Sequence, residues 1–302
     1  MIQILMPTYN GEKYLSQQLD SLLEQDLEDW QLIISDDGSA DLSTEIIESY
    51  ACRYPDKITV HHSGRHFGDA GRHYLYLLGI ADADYVMFCD QDDVWCKDKI
   101  SVTYQKMKEE ENGDMPVLVF TDLTPVDSDL KEISASMMSF QDQDPSRLDY
   151  RDLIFSNCVT GSTVMINRPL RDMALACKDD RDIIMHDWWL AIVAARFGRI
   201  AYIDKATVLY RQHGSNQIGV RNNNGILHVF KRMADLRGVK EAVRKRKQQA
   251  RLFLDTYRDS LTAEDIIFLS GLSEEKSGLR FYLRYRRHMH RLFRLLGMTV
   301  FG

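Results

Sequence analysis

The chain has 302 residues, 44% hydrophobic and 27% charged, with a net charge of −7. That is ordinary globular composition, long enough for one large α/β domain or two smaller ones, and it excludes a collagenous or low-complexity chain. The charge is unevenly spread: from Arg221 onward there are 18 Lys and Arg against 8 Asp and Glu, whereas the first 220 residues hold 20 against 37.

An acidic body repels phosphate, so nucleic acid is a poor partner and any phosphate ligand needs a cation. Five cysteines (Cys52, Cys89, Cys96, Cys158, Cys177) lack CxxC or other metal-clip spacing and are expected as reduced thiols in the cytoplasm. Met1–Met6 runs straight into Pro7 without the basic flank and apolar core of a signal peptide,. No segment reaches the roughly 18–20 apolar residues of a membrane span.

In chain order, strands are predicted at Ile2–Met6, Trp30–Ser35, Ile58–His62 and Tyr85–Cys89. Helical patterns intervene at Glu12–Gln25, Asp41–Tyr54 and Ala70–Ala81. This alternation predicts a mostly parallel sheet flanked by helices. Val117–Asp122 and Thr163–Ile166 read as strands joined by a polar connection over Asp127–Asp149. A helix over Trp188–Phe197 and strands Ile200–Ile203 and Thr207–Tyr210 follow, then a boundary near residue 222.

In such a sheet, ligands bind beyond the carboxyl ends of the strands at a switch in strand order. Asp36-Asp37-Gly38-Ser39 follows the second predicted strand and Asp90-Gln91-Asp92-Asp93 the fourth. Two acidic clusters at one edge repel each other unless a cation or hydrogen-bond donors lie between them. Carboxylates at i and i+2 fit Mg²⁺, which takes one or two carboxylates plus substrate phosphates. An Asp-rich turn is the plainer reading of either cluster. A carboxylate of the first cluster can accept an imide N–H from a pyrimidine base, and Gly38 allows a close turn.

In His186-Asp187-Trp188-Trp189 a carboxylate beside indole faces suits general-base work on a sugar hydroxyl. A helix cap before a core-facing Trp pair is the competing reading. His213, in Tyr210-Arg211-Gln212-His213-Gly214-Ser215-Asn216, can donate to a diphosphate or complete a metal shell, or be a surface histidine,.

Met6-Pro7-Thr8-Tyr9-Asn10-Gly11, Ile33-Ile34-Ser35-Asp36-Asp37-Gly38-Ser39 and Phe88-Cys89-Asp90-Gln91-Asp92-Asp93, in this order, resemble family 2 glycosyltransferases over about residues 1–215. The resemblance implies a GT-A fold: an α/β, Rossmann-like, mostly parallel mixed sheet flanked by helices, here with a C-terminal helical extension. Residues 1–222 would form the GT-A domain, with a nucleotide-sugar half over about 1–115 and an acceptor half over about 116–222. Residues 223–302 would form a basic helical region.

The resemblance further implies that Pro7, Tyr9, Asp37 and Asp90 contact the nucleotide, with Arg72 a looser match or an ordinary surface arginine. It implies that Asp92 and Asp90, with His213, hold Mg²⁺ or Mn²⁺, and that Asp187 is the catalytic base of an inverting displacement. Asn157, Gly161, His186, Trp188 and Trp189 fall on the acceptor side, with His186 where the family commonly has Glu. Asp-Gln-Asp-Asp-Val-Trp, His-Asp-Trp-Trp and Tyr-Arg-Gln-His-Gly-Ser-Asn resemble bacterial polysaccharide rhamnosyltransferases within the family. The implied donor is dTDP-L-rhamnose, and the implied acceptor is a glycan or lipid-linked glycan. The alternatives are a UDP-hexose donor or a non-catalytic sugar-nucleotide scaffold. A nucleotidyltransferase would show a glycine-rich, basic phosphate loop after the first strand, and none is present.

Arg280, Arg284, Arg287, Arg291 and Arg294 recur at 4-3-4-3 spacing on one face of a predicted helix,. Such a face fits an anionic membrane surface, which would place the chain on the inner side of the cell membrane. It fits equally a helix packed on the acidic body or on a second copy, which leaves a homo-oligomer open.

Overall fold

The structure, a computed structural model, describes residues 1–213, 236–274 and 284–288. Eight strands form one sheet: β1 (Ile2–Thr8), β2 (Trp30–Asp36), β3 (Ile58–Val60), β4 (Tyr85–Phe88), β5 (Val94–Trp95), β6 (Val117–Val126), β7 (Val164–Asn167) and β8 (Arg199–Arg211). Their order across the sheet is β3-β2-β1-β4-β7-β6-β8-β5. The first four run parallel, with Ile2 opposite both Trp30 and Tyr85. β7 is antiparallel to β4 and β6, β6 and β8 run parallel, and β5 is antiparallel to β8.

Helices cover both faces: α1 (Leu15–Leu23), α2 (Ser43–Arg53), α3 (Ala70–Ile80), α4 (Lys99–Glu110), α5 (Met137–Phe140), α6 (Tyr150–Leu153), α7 (Arg168–Ala174) and α8 (His186–Phe197). Two more, α9 (Leu236–Tyr257) and α10 (Ala263–Ser273), follow β8. Strand residues serve the two faces alternately. In β1, Leu5 joins one apolar core, and Ile2, Ile4 and Met6 the other. In β4, Val86 and Phe88 take the first side, and Tyr85 and Met87 the second. Strands buried on both faces read as unbroken apolar runs, which is why β1 and β4 are legible in the sequence.

Several expectations shift. α1 begins at Leu15 rather than Glu12, because Gly11 to Tyr14 form a turn closed by the Tyr14 N–H on the Gly11 carbonyl at 3.0 Å. α4 and α7 were not foreseen; the stripe Ile100, Thr103, Met107 of α4 is thin in a segment rich in Lys and Glu. The two short strands expected after residue 199 are one, β8, which follows β6 through register shifts near Asp122.

The boundary expected near residue 222 lies outside the described residues, as does most of the predicted arginine face at 276–296. The described C-terminal helices share the core of the body. Phe253 of α9 is fully buried, with its ring centroid 5.7 Å from Trp189 and 5.9 Å from Phe197. Asp265 of α10 accepts from Arg196 Nε at 2.8 Å and Arg151 Nη2 at 3.2 Å. Among the described residues no helix is long and apolar enough to cross a membrane. All five cysteines are free.

Because α9 contributes to the central core, Phe253→Ala is expected to cost about 3–5 kcal/mol. Urea denaturation is expected to show one transition, shifted to lower midpoint; a separate early transition for the C-terminal helices would contradict a shared core.

Candidate active site

A cleft of about 850 Å³ opens at the carboxyl ends of β1, β2 and β4. Strand order reverses between β2 and β4 on either side of β1, so diverging connections leave a crevice there,. Because β7 is antiparallel, its N-terminal end also reaches this edge and brings Asn157–Gly161 to the opposite wall.

Pro7, Tyr9 and Asp37 line one wall of the cleft, where Tyr9 is 52% exposed and so available for stacking. Gln91 holds the turn beneath Tyr9, accepting from its N–H at 2.8 Å and donating to its carbonyl at 2.9 Å. A Cβ on Gly11 would come within 2.5 Å of the Gln91 amide oxygen, so a larger residue there would displace the Gln91 amide from the Tyr9 turn. Asp37 is nearly buried and accepts from the Phe67 and Gly68 N–H groups at 2.6 and 2.8 Å. Gly38 turns at φ 84°, a conformation that favours glycine,.

Asp90 and Asp92 lie at the centre. Burial, then the charge of Asp92, pushes the Asp90 carboxyl up to about 6, against the Tyr74 hydroxyl that donates to it at 2.8 Å. His213 Nε2 lies 2.7 Å from Asp92 Oδ2, which brings all three expected metal residues to one place. They do not form a finished cage, since no cluster of three or more ligating side chains is preassembled among the described residues.

On the far wall, Asp187 sits in the first turn of α8 and accepts from the Gly161 N–H at 3.0 Å and the Trp188 N–H at 2.5 Å. Burial raises its carboxyl to about 7; the two backbone donors oppose this and the charge of Asp90 adds to it. A carboxylate in that range takes a proton near neutral pH.

His186 is 2% exposed among the rings of Tyr74 and Phe88, and burial drives its imidazole down to about 3, so it is neutral. A Cβ on Gly161 would lie 2.7 Å from His186 Nε2, so these two positions are matched. Trp188 lines the cleft, with its indole N–H on the Leu153 carbonyl at 2.6 Å and the Arg246 guanidinium over its ring at 5.0 Å. Asn157 lines it too, although its amide bonds Val159 on both sides, at 2.7 and 3.0 Å.

Two expected residues sit elsewhere. Trp189, expected on the acceptor side, is wholly buried and donates to the Ala174 carbonyl at 3.1 Å. Consecutive helical residues point about 100° apart, so the pair cannot share one face. Arg72 lines a separate hollow of about 360 Å³ with Arg65, Phe67 and Tyr76, which meets the cleft only at His66.

The sequence reading missed Tyr74, Gln91, His66, His73 and Arg246. Gln91 was visible as the middle residue of Asp-Gln-Asp, and only its contact with the Tyr9 turn gives it meaning. Tyr74 is indistinguishable in sequence from the core residues of α3, and Arg246 arrives from a helix far along the chain.

The environment of Asp187 favours its neutral form, so ionisation there opposes folding. Asp187→Asn is therefore expected to gain stability relative to the unsubstituted chain as pH rises from 5 to 8, by about 2 kcal/mol. Denaturant titrations at the two pH values measure this, and an equal effect at both would contradict the raised carboxyl.

A profile of Glycosyl transferase family 2 matches residues 3–166. The dTDP-rhamnosyl transferase RfbG of Shigella flexneri is 33% identical over 224 residues, 71% of this chain and 73% of that protein. The putative teichuronic acid biosynthesis glycosyltransferase TuaG of Bacillus subtilis is 30% identical over 171 residues, 56% of this chain and 62% of its own length. The crystal structure of S. aureus TarS 1-349 in complex with UDP superposes with a TM-score of 0.60 at 15% identity, covering 99% of this chain and 87% of that one.

Proposed function

The chain belongs to glycosyl transferase family 2, and from that premise we propose that it transfers L-rhamnose from dTDP-L-rhamnose to a hydroxyl of a growing cell-surface polysaccharide or lipid-linked glycan. The observation that carries the reaction type is the placement of Asp187, a carboxyl raised to about 7, across one cleft from the Asp90 and Asp92 pair. The similarity to RfbG supports the donor.

On this reading the base lies between Tyr9 and Asp37, whose carboxylate has capacity left to accept the imide N–H of thymine,. The fit of a divalent cation rests on two hard oxygen donors whose mutual repulsion is seen in the raised Asp90, which the Tyr74 hydroxyl only partly offsets. Asp92 and Asp90 would hold Mg²⁺ or Mn²⁺, which supplies neutralisation of the leaving diphosphate. His213 stands beside Asp92 as a further donor on that side.

Asp187 takes the proton of the acceptor hydroxyl as the oxygen bonds to the anomeric carbon. The bond from that carbon to the diphosphate oxygen breaks on the opposite face, and one displacement inverts configuration. The Gly161 and Trp188 N–H groups hold the carboxylate in place, and Trp188 offers an aromatic wall for the acceptor sugar. Neutral His186 contributes bulk beside Asp187 without a competing charge.

A UDP-hexose donor is the second reading, favoured by one feature: the imide that Asp37 would accept is common to uracil and thymine.

Turnover of dTDP-rhamnose and a set of UDP-hexoses with Mg²⁺, Mn²⁺ or EDTA tests both readings. Metal-dependent selection of dTDP-rhamnose is expected, and selection of a UDP-hexose would replace the donor while keeping the reaction. Asp187→Asn is expected to lower turnover about 10²–10⁴-fold with donor affinity retained. The rate is expected to rise with pH through about 7, because only ionised Asp187 accepts the proton; an inflection near 4 would contradict the assignment.

A further inference from the structure

Arg211 ends β8, two residues before His213, and is only 2% exposed. A guanidinium carries five donors and no acceptor, so its burial demands oxygens on several sides. They come from separate parts of the chain. Arg211 Nε donates to the Asp92 carbonyl at 2.8 Å, Nη1 to the Ser128 carbonyl at 2.7 Å and Nη2 to Gln17 Oε1 at 2.6 Å. Its own backbone N–H donates to Asp93 Oδ1 at 3.0 Å. The guanidinium lies 4.3 Å from the centre of the Tyr14 ring, and that ring packs 5.0 Å from His213.

One side chain thus ties together α1, the acidic turn after β4, the segment after β6 and the end of β8. An apolar side chain would fill this volume with a smaller desolvation cost. It would not hold the main chain of Asp92 from beneath, which needs the fixed fork of arginine.

We propose that Arg211 is a positioning residue for the cation-binding end of the cleft. By gripping the Asp92 carbonyl and setting Tyr14 and His213 beside it, Arg211 orients the Asp92 carboxylate for a divalent cation. The inference rests on the reading of the cleft as a nucleotide-sugar site. In the segment Tyr-Arg-Gln-His the sequence draws notice to His213; the packing gives Arg211 its part.

Mn²⁺ binding to the full chain in the presence of dTDP, followed by the resonance signal of free Mn²⁺, tests this without turnover. Arg211→Lys keeps the charge and loses the fork. It is expected to weaken Mn²⁺ binding about tenfold or more, while affinity for dTDP in EDTA stays unchanged. Should Arg211→Lys fail to fold, Gln17→Ala removes one partner of the fork at an exposed position of α1 and is expected to weaken Mn²⁺ binding in the same direction by a smaller factor. Unchanged Mn²⁺ affinity in the folded variants overturns the proposal. So does an equal loss of Mn²⁺ affinity and metal-free dTDP affinity, which is what general loosening of the cleft would give. If the unsubstituted chain binds dTDP neither with nor without Mn²⁺, the nucleotide-sugar reading itself fails, and the role of Arg211 falls with it.

Discussion

Negative charge crowded onto one edge of one sheet is the constraint around which this molecule is arranged. Asp36, Asp37, Asp90, Asp92, Asp93 and Asp187 all stand near the carboxyl ends of β1, β2 and β4, where like charges in a partly dry cleft repel strongly. Some are quieted by fixed donors. Asp36 accepts from the Gly38 and Ser39 N–H groups and Asp37 from Phe67 and Gly68, whereas burial and the charges of Asp90 and Asp92 push the Asp93 carboxyl well up although it accepts from the Arg211 N–H. Asp90 has only a neutral hydroxyl, that of Tyr74, among its described hydrogen-bond partners. The residual repulsion is located where a diphosphate and its cation would sit.

The same edge carries costs that stability alone would not retain. Lys99 is buried with no hydrogen-bond partner for its amine among the described residues; burial brings it down to about 7, and it lies 4.6 Å from the centre of the Trp95 ring. His186 is buried with neither ring nitrogen bonded among the described residues. Buried polar groups left without partners oppose folding, and they gather at functional edges when the remaining packing is strong enough to tolerate them. Here that packing is the double-sided sheet, whose alternating side chains feed two apolar cores.

The C-terminal helices belong to this balance. α9 and α10 close one of those cores and also reach the site, since Arg246 of α9 stacks on Trp188 and donates to the Phe155 carbonyl at 2.8 Å. Gln249 of α9 accepts from the Ile184 N–H at 2.8 Å, in the segment that leads into α8 and Asp187. The family match ends at residue 166, yet the wall that carries Asp187 and Trp188 is held in place by residues some eighty positions later.

Elements whose identity is written locally were legible before folding. β1 and β4 are continuous apolar runs because both their faces are buried, and the acidic turns follow β2 and β4 almost directly in sequence. Asp37, Asp90 and Asp92 could therefore be singled out from residue type and position after a strand, and Asp187 from its place beside Trp188 and Trp189 at the start of a helical pattern. Decisions that depend on distant partners were not legible. Trp188 and Trp189 are identical as letters, and the rotation of α8 against α9 sends one to the cleft and the other to the core. Tyr74 reads as one more apolar residue of α3 until its hydroxyl meets Asp90. Arg211 gains its place only when three separated segments converge on the end of β8. Sequence alone determined the alternation of strands and helices and the chemistry available at their ends. Tertiary structure decided which of those groups face one another, because hydrogen bonds and charges act over a few ångströms between residues that lie far apart along the chain.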